Sequence, residues 1–181
     1  MTREIQLPLT AKVAGELRAG DEVELTGEVL TGRDQACARL FAMLEHREKL
    51  PVELAGQLIY FVGPTPAKPG AVIGSAGPTT SGRMNPFLPM FLERGLRGFI
   101  GKGYLDQAVK AALVKQRGVY LGAIGGTGAL LAERIEAAEV IAFPELLSEA
   151  VRRLRLKRFP VVVLHDTQGG DLYAQALAGA A

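Results

Sequence analysis

Three turns in this sequence place a cation beside glycine: Gly32-Arg33-Asp34, Gly82-Arg83-Met84 and Gly101-Lys102-Gly103. Glycine lets backbone approach a bound group closely, while a guanidinium fork or an ammonium point charge engages carboxylate or phosphate. Two or three such cations brought together suit a dicarboxylate. Each cation taken alone reads more readily as a solvated charge in a turn. Gly77-Pro78-Thr79-Thr80 adds hydroxyls and backbone amides, the makings of an anion cradle, although Thr79 or Thr80 could instead cap the next helix.

Other candidates are weaker. Gly122-Ala123-Ile124-Gly125-Gly126-Thr127-Gly128 joins a strand to a helix but misses both nucleotide-binding glycine spacings, so tight packing with a few amide contacts is the better reading. The run Arg152, Arg153, Arg155, Lys157 and Arg158 reads as a solvated helix face, without the aromatic partners that nucleic acid would call for. His165-Asp166 closes a strand where acid–base work is conceivable, and His46 falls on an exposed helix face. Cys37 is the only cysteine, which excludes an intrachain disulfide and a cluster held by several thiolates of this chain. With two histidines, a conventional zinc site is not expected either.

The elements that must position these residues follow from hydrophobic patterning. Residues 22–30 alternate apolar and polar around Gly27, a strand with a bulge or kink. Asp34 caps a helix to about residue 48, with Leu40, Phe41, Met43 and Leu44 on one face. Residues 58–62 form an apolar strand, 63–70 a loop and 71–74 a further short strand that leads into the Gly77 segment. Beyond it the reading is helix 85–93, strand 98–100, helix 105–116, strand 119–124, helix 127–134, strand 139–143, helix 145–154 and strand 160–164, with a frayed tail over 176–181. Strands alternating with helices imply crossovers and a largely parallel sheet, with the earlier strands in a separate β layer. Strand exits at the carboxyl edge of such a sheet are where α/β folds tend to bind ligands, and the cation turns stand at such exits.

The 181 residues fit one domain with a sizeable core. Apolar residues at 48% and charged residues at 22% exclude disorder as the main state, and 22 glycines point to many tight turns. A net charge of +2 is too slight to imply nucleic acid. The first residues lack a signal-peptide pattern and no apolar stretch reaches the length of a membrane span, so a cytoplasmic address is expected, away from membranes.

Taken in order, Thr31-Gly32-Arg33-Asp34, Gly63-Pro64-Thr65-Pro66, Gly74-Ser75-Ala76-Gly77-Pro78-Thr79-Thr80, Arg83-Met84, Gly101-Lys102-Gly103, Gly125-Gly126 and Asp171-Leu172-Tyr173 resemble the β region of class I fumarases and L-tartrate dehydratases. The resemblance runs from about Asp21 to Tyr173. It implies a swivelling β/β/α domain and a hydro-lyase that converts fumarate and (S)-malate, or L-tartrate. It implies a [4Fe-4S] cluster bound by a cysteine-bearing α subunit and not by this chain, hence a hetero-oligomer. It assigns carboxylate binding to Arg33, Arg83 and Lys102, with Gly77 at the substrate, and proton transfer to Thr79 or Thr80. Cys37 stands where many relatives have histidine, and Asn85 where aspartate is common. A rival of another class is a non-catalytic anion-binding or scaffold module that docks an acidic partner.

Overall fold

In the computed structural model, which describes residues 2–124 and 126–179, the protein is a mixed α/β structure built on one sheet of seven strands. The strands are β1 (Arg3–Gln6), β2 (Glu22–Thr31), β3 (Leu58–Tyr60), β4 (Gly98–Gly101), β5 (Val119–Gly122), β6 (Ile135–Ala142) and β7 (Val151–His165). The helices are α1 (Ala11–Glu16), α2 (Asp34–Glu45), α3 (Leu88–Glu93), α4 (Gln107–Gln116), α5 (Gly128–Ala132) and α6 (Leu172–Gly179).

β1 to β5 pair parallel in sequence order, and β7 runs antiparallel to β2, β5 and β6. Because β7 pairs with both β2 and β5, the strands β2, β3, β4, β5 and β7 close into a ring. The strand at 22–30, expected in a layer of its own, is therefore part of this same sheet. Its expected irregularity is present: the β2–β7 register shifts between Leu25 and Gly27, and Gly27 takes a φ of 128°, a conformation that favours glycine.

Side-chain alternation sorts the core into two clusters. Leu58, Tyr60, Val62, Ile100, Val119 and Leu121 face one cluster together with Phe159 and Val161. Their neighbours Ile59, Phe61, Phe99 and Tyr120 face the other, against Leu40 of α2, Phe91 of α3 and Leu113 of α4. Each buried apolar side chain of this size contributes about 1.5–3 kcal/mol. Both faces of β3, β4 and β5 are thus covered, which is why these strands read as continuous apolar runs.

Several expectations need correction. Residues 145–154 are not a helix: a 3₁₀ turn over Pro144–Glu149 leads directly into β7, of which 160–164 is only the end. Leu154 and Leu156 are buried while Arg153, Arg155 and Lys157 are exposed, so the true period is two. Residues 71–74 form no strand, and the helix expected at 85–93 is the shorter α3, preceded by a 3₁₀ turn at Ser81–Met84. β6 starts earlier than 139, and α5 is shorter than 127–134. β1 and α1 lie in a stretch left unassigned from sequence, and α6 carries regular helix through 176–179, with 180 and 181 outside the described residues.

Candidate functional site

Parallel register determines which connections meet. Thr31 lies opposite Tyr60, Tyr60 opposite Ile100, and Gly101 opposite Gly122, so β2, β3, β4 and β5 end at one level. Arg33 leaves the end of β2, the 61–80 loop leaves β3, Lys102 leaves β4 and the glycine loop leaves β5. The sheet thereby gathers all three cation turns at its carboxyl edge.

Within that edge the two arginines are linked by one carboxylate. Asp34 sits with Oδ2 3.3 Å from Arg33 Nε and Oδ1 2.9 Å from Arg83 Nε. Glu149, from the turn before β7, places Oε1 3.7 Å from Arg33 Nε, and its Oε2 accepts the backbone N–H of Gln35 at 2.7 Å, in the first turn of α2. Gly63 gives Arg33 room: a Cβ there would lie 2.7 Å from Nη1 and 2.9 Å from Cδ of Arg33. Lys102 is exposed and has no ion-pair partner among the described residues.

The loop that carries Thr79 and Thr80 is tied to the strand exits by its backbone. Thr79 N donates to Phe61 O at 2.7 Å, Ser81 N donates to Lys102 O at 2.9 Å, and Thr80 bridges to Lys102 in parallel sense. Thr80 occupies the cap position of the 3₁₀ turn without a side-chain capping bond, contrary to the capping alternative. Neither threonine hydroxyl has a hydrogen-bond partner among the described residues. Gly77 packs on the first residue of α5, where a Cβ would meet Gly128 Cα at 3.5 Å, and Ala76 N donates to Gly128 O at 3.0 Å. Gly125 of the glycine loop lies outside the described residues.

Beneath the site a buried phenol joins two of the turns. Tyr120 Oη is 2.9 Å from Ser81 Oγ and 2.9 Å from Gly103 O. A phenol has one proton, so donation to the Gly103 carbonyl leaves its oxygen to accept from Ser81. Burial pushes the Tyr120 phenol up from its ordinary value and keeps it neutral. Gly101 makes the arrangement possible, since any Cβ there would overlap Ser81 Oγ. Sequence reasoning missed Ser81, Tyr120 and Glu149, and gave Asp34 no role beyond capping, whereas the cap position is Arg33's and Asp34 is the first residue of α2. The adjacency of Asp34 to Arg33 was its one local signal.

The remaining candidates lie outside this constellation. His165 Nδ1 is 3.7 Å from Asp171 Oδ2, which is itself 2.7 Å from Lys110 Nζ. Burial holds His165 below its ordinary value, against the pull of Asp171 and aided by Lys110. The basic run lies on β7, and its charges other than Arg152 are matched across the sheet, with Arg155 3.7 Å from Glu28, Lys157 3.1 Å from Glu136 and Arg158 2.7 Å from Glu24, while Arg152 donates to the carbonyls of Leu147, Ser148 and Ala150. Cys37 is fully buried in α2 and burial pushes its thiol far up. No group of three or more His, Cys, Asp or Glu among the described residues could hold a metal ion. Together with the lone, protonated cysteine, this means that the chain's own residues do not fit an iron–sulfur cluster.

The sequence profile of the Fumarase C-terminus family matches residues 2–176. The chain belongs to this family. Its relatives include the anaerobic class I fumarate hydratase of Escherichia coli, 37% identical over 84% of this chain and 28% of that protein. Fumarate hydratase 2 of Leishmania major is also 37% identical, over 88% of this chain and 28% of its own length. A Methanocaldococcus jannaschii protein, provisionally named L(+)-tartrate dehydratase subunit beta, is 35% identical over 92% of this chain and 89% of its own. The chain thus spans under a third of the fumarate hydratases it matches and most of the β subunit. No helix of the described residues is long and apolar enough to cross a membrane.

Proposed function

We propose that this chain is the β subunit of an iron–sulfur hydro-lyase that reversibly hydrates fumarate to (S)-malate, supplying the carboxylate-binding cations of a site shared with a cysteine-bearing α subunit. The observation that carries this reading is the meeting of Arg33 and Arg83 at Asp34, on the sheet edge that also presents Lys102. Three cations around a glycine-rich cradle match a substrate with two carboxylates and little else to grip. Chain 1–181 acts as one domain in the swivelling β/β/α arrangement. The [4Fe-4S] cluster has its cysteines on the α subunit, in a cytoplasmic hetero-oligomer.

The chemistry assigned to this chain is electrostatic. Arg33, Arg83 and Lys102 hold the substrate carboxylates, and Gly77 lets backbone approach them. As a proton leaves the carbon next to a carboxylate, charge builds on that group. Cations already in place stabilise this charge more in the transition state than in the ground state. Thr79 or Thr80 moves the proton, their hydroxyls having no other partner among the described residues. Closure by the α subunit strengthens every one of these interactions by excluding water. The rim fits such a closure, with Tyr104, Ile124, Leu130 and Leu147 exposed on connections at or beside the site edge. A cleft of about 570 Å³ opens between the 64–74 loop and the Leu147 turn, with Ala138 of β6 and Arg152 of β7 in its wall.

L-tartrate is the second reading, favoured by the match over nearly the full length of the tartrate dehydratase β subunit relative. The test is anaerobic co-expression with the α chain and turnover on fumarate, malate and L-tartrate. Turnover that requires both chains supports the reading, and the preferred acid names the enzyme. A cluster-loaded complex inert on all three acids overturns the substrate class.

A further inference from the structure

Asp34 engages both arginines with one carboxylate. Its Oδ2 accepts from Arg33 Nε at 3.3 Å, and its Oδ1 forms an ion pair with Arg83, 2.9 Å from Nε. A guanidinium carries five N–H donors, so one held by a single carboxylate keeps donors for another anion. Glu149 approaches Arg33 from the Nε side as well, at 3.7 Å.

The surroundings hold Asp34 in this position. It starts α2, where a negative charge is favourable, and Cys37 N donates to Arg33 O at 2.8 Å at the same helix start. On its other flank Arg33 packs on Gly63, where a Cβ would lie 2.7 Å from Nη1. Arg83 is the more exposed partner, with about half of its side chain open to solvent and Asp34 its only ion-pair partner among the described residues. Without Asp34, nothing in the described structure directs Arg83 towards Arg33.

We infer that Asp34 is a positioning residue that ties the Arg33 and Arg83 guanidinium groups to one carboxylate and thereby presents them side by side to the substrate carboxylates. The inference rests on the proposed function for its substrate, but the geometry that it describes belongs to this chain alone. Its energetic consequence is separable. The Asp34 charge opposes binding of an anion, while the order that it imposes favours the transition state. Removing the charge and keeping the shape should therefore weaken catalysis without weakening binding.

The test is Asp34→Asn in the assembled enzyme, with active sites counted by bound inhibitor so that loss of folded protein does not enter kcat. The expected result is a fall in kcat of about 10–100-fold, the scale of misplaced substrate-positioning groups. KM, and Ki for an unreactive dicarboxylate, should hold or decrease, and Asp34→Glu should restore part of kcat. Arginine ¹⁵Nε NMR on the same protein supplies a readout independent of turnover. A slowly exchanging Arg33 Nε–H signal and an Arg83 Nε signal shifted by its ion pair are expected in the wild type, lost in Arg33→Lys and Arg83→Lys respectively, and both reverting to free-arginine behaviour in Asp34→Asn. Unchanged kcat, a raised KM at constant kcat, or Nε–H signals indifferent to Asp34→Asn would each overturn the inference. A wild-type complex that turns over no dicarboxylate while the NMR signature holds would instead contradict the proposed substrate and leave the positioning role standing.

Discussion

Tyr120→Phe removes one oxygen from the buried link under the site and leaves the ring in place. The ring packs in the core and stacks on His165 with centroids 5.6 Å apart, contacts that phenylalanine keeps. What is lost is the pair of 2.9 Å hydrogen bonds to Ser81 Oγ and Gly103 O. Ser81 is fully buried, so its hydroxyl is stranded, whereas Gly103 is half-buried and water can reach its carbonyl. One stranded buried group costs about 1–3 kcal/mol, and the solvated one adds less, for a total of about 2 kcal/mol. For a protein of this size that lowers Tm by about 4–8 °C in differential scanning calorimetry. Ser81→Ala in the same background removes the stranded partner, so the double variant should be more stable than the sum of the single losses by about 1 kcal/mol. Because Ser81 belongs to the Arg83 turn and Gly103 to the Lys102 turn, turnover should fall about tenfold or more as their spacing loosens. An unchanged Tm, or strictly additive losses in the double-mutant cycle, would refute the link.

Arg83→Ala should cut kcat/KM of the assembled enzyme by about 100-fold or more, and Arg83→Lys should recover little of it because lysine cannot offer a paired fork; stopped-time assays of hydration measure both. Cys37 should resist iodoacetamide at pH 8 in the folded protein and react fully in denaturant, as mass spectrometry would record, since its thiol is buried and pushed far above its ordinary value. Acid stability should fall in two stages. His165 is held below 6.5 chiefly by burial, so the unfolded chain takes up a proton first as pH drops below 6.5, and stability declines there. Burial pushes Asp166 up, but N–H donation from Ala19, Gln168 and Gly170 outweighs it and sets the carboxyl below 3.8, so its stabilisation is present above that pH and is lost as pH falls beneath it. Thermal melts from pH 8 to pH 3 would show both stages, and a smaller lower one in Asp166→Asn, since Asp171, against the push of burial, is also held below 3.8 by Lys110 and the Ala174 N–H.

Much of the site is legible in sequence because its parts are local. A glycine beside a cation at the end of an apolar run is visible without coordinates, and parallel order then forces Arg33, Lys102 and the Thr79–Thr80 loop to one edge. The links between those parts are not local. Asp34 meets Arg83 across 49 positions and Glu149 meets Arg33 across 116, and nothing in either neighbourhood announces the pairing. β7 was hidden for a different reason. Its arginines and leucines satisfy a helical face as readily as a strand, and only pairing with β2 and β6 selects the period of two. The closing of the sheet by β7 was unreadable for the same reason.

The central claim is that this chain lends its cations to a dicarboxylate site completed by another chain. Anaerobic turnover of fumarate and L-tartrate by the assembled enzyme, with Arg33→Ala, Arg83→Ala and Lys102→Ala introduced one at a time, tests it most directly. The account predicts that the wild-type complex works on one of these acids, that neither chain works alone, and that each substitution lowers kcat/KM by at least tenfold while the complex still assembles. Three variants that assemble and turn over like the wild type would contradict it.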